Sequence, residues 1–321
     1  MNDLDVTKFC RLFVGRMDAY GTEEGGCDRT PQWAWPGYYG RIGAHLDGST
    51  PTGVYPMVLD SEIGWAVRWG CVDFDLGDEA SWVHACNLHD TLGAFGIRSH
   101  RERSRSKGFH VWVFADSWVP APTMRRALIG ASTIAGSPIS EVNPKSEGYF
   151  TKDEDGTLTP NASVLGNYVR LPYPGGWDET QRRVIVDDYQ RTISAEDFVA
   201  DAYENRLAIT DLDPLVALWE PPKKIAFTAS FDDEFADNVD TENLPKTDLM
   251  CKTSYAAWRF GPYEGNDRSS TLWKLTNSLA KDGYKPAEVL AFVIDGDRRW
   301  GKFVARDDIG TLERMVAKVF T

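Results

Sequence analysis

A single break in texture constrains this chain more than any other feature. Up to about residue 220 strand-like runs alternate with helical ones, and from about 255 onward the pattern is helical only. Between them, Pro221-Pro222-Lys223-Lys224 leads into Phe231-Asp232-Asp233-Glu234 and on through Asp237, Asp240, Glu242 and Asp248. Residues 231–248 hold seven acidic side chains and one lysine, a net charge of −6. Such a stretch buries too little apolar surface to order itself. The expected organisation is therefore a mixed α/β domain at 1–222, an acidic linker at 223–250 and a small helical domain at 251–321.

The charge balance narrows the function. With 35 Lys+Arg against 48 Asp+Glu the formal charge is −13, which excludes coating nucleic acid by bulk charge. Nearly half of the negative charge sits in the linker, so a nucleic-acid site has to be a local basic patch in the folded parts. No run of about 18 apolar residues exists. The start, Met1-Asn2-Asp3-Leu4-Asp5, carries no basic-then-apolar signal, so no membrane partner and a cytoplasmic location are expected. Cys10, Cys27, Cys71, Cys86 and Cys251 are odd in number and free of any Cys-x-x-Cys pair, and read as reduced thiols. His84, Cys86 and His89 fan across more than one face of a helix with no cluster to complete a four-ligand set, so a half-buried helix is the plainer reading.

Within the first domain Val67–Phe74 is the clearest strand, and 79–95 reads as a helix stopped by Gly96. Ile97–Ser104 and Phe109–Ala115 form a hairpin, and Pro122–Ala135 a helix with Pro in its first turn. Shorter strands are expected at Ile139–Asn143, Tyr168–Leu171 and Arg183–Asp187. After the linker, Asp267 or Ser269 caps a run with Leu272, Leu275 and Leu279 that ends at Gly283. Pro286 opens a second helix, and Ile309–Phe320 forms a third.

Two stretches carry chemistry. In Val72-Asp73-Phe74-Asp75 the period of two buries Val72 and Phe74 on one face and holds Asp73 and Asp75 together on the other. Paired carboxylates repel unless a cation lies between them, and their oxygens suit Mg²⁺ or Mn²⁺. Taken alone, an Asp-x-Asp at a strand end is more often a solvated turn. The second stretch, Arg98-Ser99-His100-Arg101-Glu102-Arg103-Ser104-Arg105-Ser106-Lys107, precedes Gly108-Phe109-His110-Val111-Trp112. Its guanidinium, ammonium and hydroxyl donors, with a glycine that lets backbone approach an anion, are a phosphate-binding composition. Without the Asp pair, a solvated hairpin and a structural histidine would explain it equally well.

With both stretches in order, the sequence resembles the archaeo-eukaryotic primase superfamily, in particular its phage and mobile-element branch. Val72-Asp73-Phe74-Asp75 is similar to that family's first motif, and Ser104-Arg105-Ser106-Lys107-Gly108-Phe109-His110 to its second. His45-Leu46-Asp47-Gly48 followed by Gly53-Val54-Tyr55-Pro56 has a counterpart upstream. Ser140-Glu141-Val142-Asn143-Pro144-Lys145, then Gly166-Asn167-Tyr168-Val169-Arg170, resembles the third motif. Glu141 stands there in place of the commoner Asp, with Glu147, Asp153 and Asp187 as competitors. Gly108 stands where the second motif often has Ser. The region from Tyr255 to Phe320 is similar to the helical primase C-terminal domains.

The resemblance implies an α+β, mixed-sheet catalytic domain followed by an all-helical one, and template-directed nucleotidyl transfer that makes primers on single-stranded DNA in phage-type replication. It implies two divalent ions, Mg²⁺ or Mn²⁺, about 3.5 to 4 Å apart on Asp73, Asp75 and Glu141. Nucleoside triphosphate would meet Ser104, Ser106, Lys107, Gly108, His110, Lys145, Asn167 and Arg170, with His110 a phosphate donor rather than a general base. Template would meet Arg101, Arg103, Arg105 and Arg41, with Trp33, Trp35, Tyr38 and Tyr39 as stacking candidates that equally suit a core. No Gly-x-x-x-x-Gly-Lys-Ser/Thr occurs, so a separate replicative helicase is the expected partner. If phage-encoded, the protein would work in the host cytoplasm. Two other readings fit the residues: an inert nucleotide- or nucleic-acid-binding module, and a metal-dependent sugar-nucleotide transferase with its own Asp-x-Asp.

Overall fold

The computed structural model describes residues 5–29, 35–138, 141–153, 155–175, 182–219, 244–262, 268–300, 303–304 and 308–320. The chain divides into two compact units, Met1–Pro222 and Lys223–Thr321. The first opens with helix α1 (Val6–Leu12), strands β1 (Ala19–Gly21) and β2 (Cys27–Arg29) and helix α2 (Trp35–Leu46). Strands β3 (Gly53–Val54), β4 (Val58–Asp60) and β5 (Gly64–Phe74) lead to α3 (Asp78–Ala94), then β6 (His100–Arg103), β7 (Phe109–Pro120) and α4 (Ala121–Ile134). Short strands β8 (Val142–Asn143), β9 (Phe150–Lys152), β10 (Leu158–Pro160), β11 (Val169–Arg170) and β12 (Val184–Val186) precede α5 (Ala195–Glu204) and α6 (Asp213–Ala217).

The architecture is mixed α+β with antiparallel sheets. The main sheet runs β12-β6-β7-β5-β4, with β8 also paired to β5, and a second sheet runs β11-β3-β1-β2. Strand β5 is buried on both faces, as expected of a central strand rich in Val, Trp and Phe. On one face Phe74 stacks on His84 and Phe109 packs on Trp82, both from α3. Helix α4 lies so close there that a Cβ on Gly70 would sit 2.6 Å from Leu128 Cδ1. On the other face Phe13 and α5's Phe198 pack against Trp112 and Phe114. Helices α1, α2 and α5 have no counterpart in the periodicity reading. Helix α1 is only seven residues long and α2 carries Pro36, Gly37, Gly40 and Gly43, while α5 does show the helical spacing Ala195, Phe198, Val199 and Ala202; packing on this aromatic layer, rather than propensity, stabilises them.

Two histidines of this core are neutral and buried. His45 Nδ1 accepts the Thr52 N–H at 3.1 Å while Nε2–H donates to the Pro172 carbonyl at 2.8 Å, tying the 45–52 turn to the 172 loop. Burial pushes His45 down to about 4, against the Pro172 hydrogen bond. Burial likewise pushes His100 down to about 3, against the Asp201 charge. Between pH ~6.5 and ~4 the unfolded chain therefore binds protons at both that the folded chain does not, so stability falls as pH drops through this window. At pH 5 His45 alone is expected to cost about 2 kcal/mol relative to pH 7. A lower melting temperature at pH 5, reduced in extent by His45→Gln, is the expected result; equal melting temperatures at pH 7 and 5 would refute it.

The C-terminal unit is helical, with Lys252–Phe260, Arg268–Lys281, Pro286–Trp300 and Ile309–Ala317 among its described residues. Leu272, Leu275, Leu279, Val289, Phe292, Val293, Leu312 and Val316 form its core. The helix at Lys252–Phe260 was not anticipated, because it buries little apolar surface; the Cys251 thiol caps it by accepting the Ser254 N–H. Residues 223–243 of the expected linker lie outside the described residues, as do Trp33, Ile139, Ser140 and Asp267. The end of that expected linker packs on the helices: Leu244 and Met250 join the core, and the Lys246 carbonyl accepts from Tyr284 Oη at 2.8 Å. No helix among the described residues is long and apolar enough to cross a membrane.

Candidate active site

Strand register assembles the site. Asp73 on β5 lies opposite His110 on β7, and His110 lies opposite Glu102 on β6. On the far side of β5 the Asp73 N–H donates to the Glu141 carbonyl at 3.0 Å, just before β8. Directly opposed residues point to the same face, so Asp73, His110 and Glu102 form a row across three strands, with Glu141 at its end just before β8. Above the row opens a cleft of about 210 Å³ whose walls include Asp75, Ser104, Arg105, Ser106, Asn143, Lys145, Asn167, Tyr168, Arg170 and Arg183.

His110 is the centre of the row. Its Nδ1–H donates to Glu102 Oε2 at 2.8 Å, and its Nε2 lies 3.5 Å from Asp73 Oδ1. Burial by itself would push the imidazole down, but the Glu102 charge and the hydrogen bonds to Asp73 and Glu102 outweigh it and raise His110 to about 10. It is therefore an imidazolium at neutral pH, a donor rather than a base. Glu102 is fully buried and also accepts the Trp112 Nε1–H at 2.6 Å, while its Oε1 has no partner among the described residues. Burial would raise the Asp73 carboxyl; the hydrogen bond and charge of His110, with the charge of Lys145, hold it below the usual carboxylate range.

The opposite wall belongs to the second sheet and the β12 segment. Glu23, in the β1–β2 turn, pairs with Arg183 at 2.8 Å and Arg105 at 3.2 Å, and its carbonyl accepts from Arg170 at 3.0 Å. Arg183 is buried, and it also donates twice to the Leu171 carbonyl. Lys145 is ion-paired with Glu141. The cleft thus faces carboxylates on its floor with cations along its rim, the two charge types that a metal-bound polyphosphate requires.

Some expected residues lie elsewhere. Arg101 and Arg103 alternate with Glu102 and so project from the other face of the sheet. Arg101 is buried, paired with Asp188 and lying 4.9 Å over the Trp82 ring, and Arg103 donates to the Gln190 carbonyl. Arg41 sits 3.4 Å over the Tyr20 ring, away from the cleft. Lys107 is exposed at the hairpin tip and is not among the cleft residues. Gly108 approaches backbone rather than an anion: a Cβ there would fall 2.3 Å from the Phe74 carbonyl oxygen. Tyr38 is core, with its hydroxyl on the Phe13 carbonyl, while Tyr39 is part-exposed. His84 and His89 bond to Ser137 and Ser99 instead of converging on a metal.

Of the four candidate third carboxylates only Glu141 lines the cleft. Glu147 is held by Arg126, Asp187 by Arg191, and Asp153 caps the Thr157 turn. The oxygen donors of Asp73 and Asp75 fit a hard divalent cation. Among the described residues no three His, Cys, Asp or Glu side chains converge as a ready-made cluster, since Glu141 is turned to Lys145. Glu102, Glu23 and Arg183 escaped sequence reasoning. Only Glu102 left a signal there: the period of two sets it on the His110 face.

A family model described as "TOTE conflict system, Archaeo-Eukaryotic Primase domain" matches residues 26–200. Among solved structures, one titled "Crystal structure of primase RepB'" is similar at 13% sequence identity, covering 98% of this chain and 92% of that one. Its TM-score of 0.30 is too low to carry an argument. No curated protein matches.

Proposed function

We propose that this chain, which belongs to the archaeo-eukaryotic primase family of the TOTE conflict-system type, is a template-directed nucleotidyltransferase that starts and extends strands on single-stranded DNA. The observation that carries the reading is the row Glu102, His110, Asp73, in which a buried carboxylate keeps an imidazolium charged beside a cleft carboxylate. In the reaction a 3′-hydroxyl oxygen forms a bond to the α-phosphorus of a nucleoside triphosphate, the bridging α–β P–O bond breaks, and pyrophosphate leaves.

Two Mg²⁺ or Mn²⁺ ions held by Asp73 and Asp75 with Glu141 would supply Lewis-acid charge to the attacking and leaving oxygens. The protein's own groups do the rest. His110 offers its Nε2–H to a phosphate oxygen, and Glu102 fixes the ring and its charge from behind. Lys145, Arg105 and Arg170 surround the triphosphate, with Ser104, Ser106 and Asn167 as neutral donors. Donors fixed in place before reaction stabilise the charge that grows on the leaving group without reorganising. The proposed setting is primer supply for a phage or mobile element, with unwinding by a separate helicase; the family's description refers to a conflict system.

The test is incorporation of labelled nucleotides with Mg²⁺ or Mn²⁺ on primed and unprimed single-stranded DNA. Products that require template and disappear in Asp73→Ala and His110→Ala are expected. The Glu141–Lys145 pair favours one rival, an inert nucleotide-binding module, and nucleotide binding without products would support it. Products indifferent to template would point to a sugar-nucleotide or other transferase.

A further inference from the structure

A second cationic site lies along the same strands from the cleft. Arg11 of α1, Arg68 of β5 and Arg206, which follows α5, line a cavity of about 600 Å³ with Tyr203 and Trp118. Its composition is unusual for a chain of formal charge −13. None of the three guanidiniums makes an ion pair with a described residue. Arg11 donates to Tyr203 Oη at 3.1 Å, Arg68 to the Asp116 carbonyl at 2.8 Å and Arg206 to the Tyr203 carbonyl at 2.7 Å. The one carboxylate on the wall, Asp116, accepts from Ser117.

The Arg68 Nε is buried without a partner among the described residues. Burial and then the charge of Arg206 push the Arg68 guanidinium down, and the opposing pull of Asp116 and Tyr203 does not make up the difference. Like charges held together at a protein surface cost free energy unless an anion joins them. The aromatic groups give the anion its type. Arg206 lies 3.7 Å over the Tyr203 ring, with Lys8 5.4 Å from the same ring, and Arg68 lies 5.8 Å from Trp118. Guanidiniums alternating with flat aromatic surfaces bind single strands without sequence preference: the charges take phosphates, and rings and guanidinium planes take bases.

We propose that this groove is a second binding site for single-stranded DNA, holding the template away from the reacting nucleotide. The distance suits that role. Arg68 is five residues from Asp73 on β5, about 17 Å at strand rise, and Trp118 lies level with it, in the bulge of β7 where the register shifts between Val67 and Trp69. The groove has nearly three times the volume of the catalytic cleft, room for more than one nucleotide. The assignment of the strand as template rests on the proposed activity; the binding itself does not.

The test is fluorescence anisotropy of a labelled oligo-dT with the full chain, across a range of salt, comparing wild type, Arg11→Glu/Arg206→Glu and the milder Arg11→Gln/Arg206→Gln. We expect at least a ten-fold loss of affinity in the Glu pair, a smaller loss in the Gln pair, and a log K against log[salt] slope shallower by about 1.4 for two lost phosphate contacts. Nucleoside triphosphate binding and circular dichroism should match wild type in both. Wild-type affinity and slope in both variants would overturn the proposal. So would poly-glutamate displacing the oligonucleotide as well as unlabelled DNA of equal charge. If wild type makes no primers but the variants still lose DNA, the groove stands and the catalytic reading fails.

Discussion

Asp73→Asn is expected to lower template-dependent incorporation by about 10³-fold or more while leaving the melting temperature close to that of wild type. The charge that Asp73 contributes sits on the cleft floor, beside His110 and within reach of the Lys145 field. Losing a metal-holding carboxylate removes several kcal/mol of stabilisation of the charge developing on the phosphate. At 1.36 kcal/mol per decade, about 4 kcal/mol is a thousand-fold. The side chain is only half-buried and Asn keeps its shape, so the fold has little to lose. Incorporation within about ten-fold of wild type would remove Asp73 from the chemistry.

The second large effect belongs to Glu102, which lies behind His110 and, on the proposed mechanism, would act through it. Glu102→Ala leaves a buried imidazolium and the Trp112 N–H without their shared acceptor, and breaking a buried pair from one side costs about 3–5 kcal/mol. Glu102→Gln separates positioning from folding. Its carbonyl can take the place of Oε2, which accepts both hydrogen bonds, while its NH₂ fills the Oε1 position that has no partner among the described residues. The fold should survive, weakened by one buried unsatisfied donor. The charge does not survive the change. Against burial, the Glu102 charge is the largest of the contributions, with those of Asp73, that raise His110 to about 10, so removing the Glu102 charge leaves burial opposed by Asp73 and lowers the imidazole. The variant therefore loses the His110 proton at a lower pH than wild type does, and a smaller fraction of it is charged at pH 8 than at pH 6. Activity of Glu102→Gln relative to wild type should accordingly be higher at pH 6 than at pH 8, by about ten-fold. Parallel pH profiles would show that Glu102 only fills space.

The strands of the main sheet were legible because their code is local. Alternation in Val72-Asp73-Phe74-Asp75 and the Gly-containing turn after Arg105 mark β5 and the β6–β7 hairpin, and antiparallel pairing then brings Asp73 opposite His110. The basic run before Gly108 was harder to read. As a composition it is one cationic surface, but as a strand it splits. Glu102 goes to the cleft face, while Arg101 and Arg103 go to the α3 face. A charge count over ten residues averages away that division. Glu23 and Arg183 lay beyond reach for another reason: they meet across 160 positions of sequence, and no spacing rule reports such a contact. The groove of Arg11, Arg68 and Arg206 is likewise assembled from three distant segments.

The central claim is that Asp73 and His110 serve one bound triphosphate, the first through a divalent cation and the second directly. Calorimetric titration of a non-hydrolysable nucleoside triphosphate, with Mn²⁺ and without it, tests this on the intact chain. Wild type should bind more tightly with Mn²⁺, Asp73→Asn should lose that gain yet keep the metal-free affinity, and His110→Ala should weaken both. Equal affinities in all three proteins, or a Mn²⁺ effect untouched by Asp73→Asn, would contradict it.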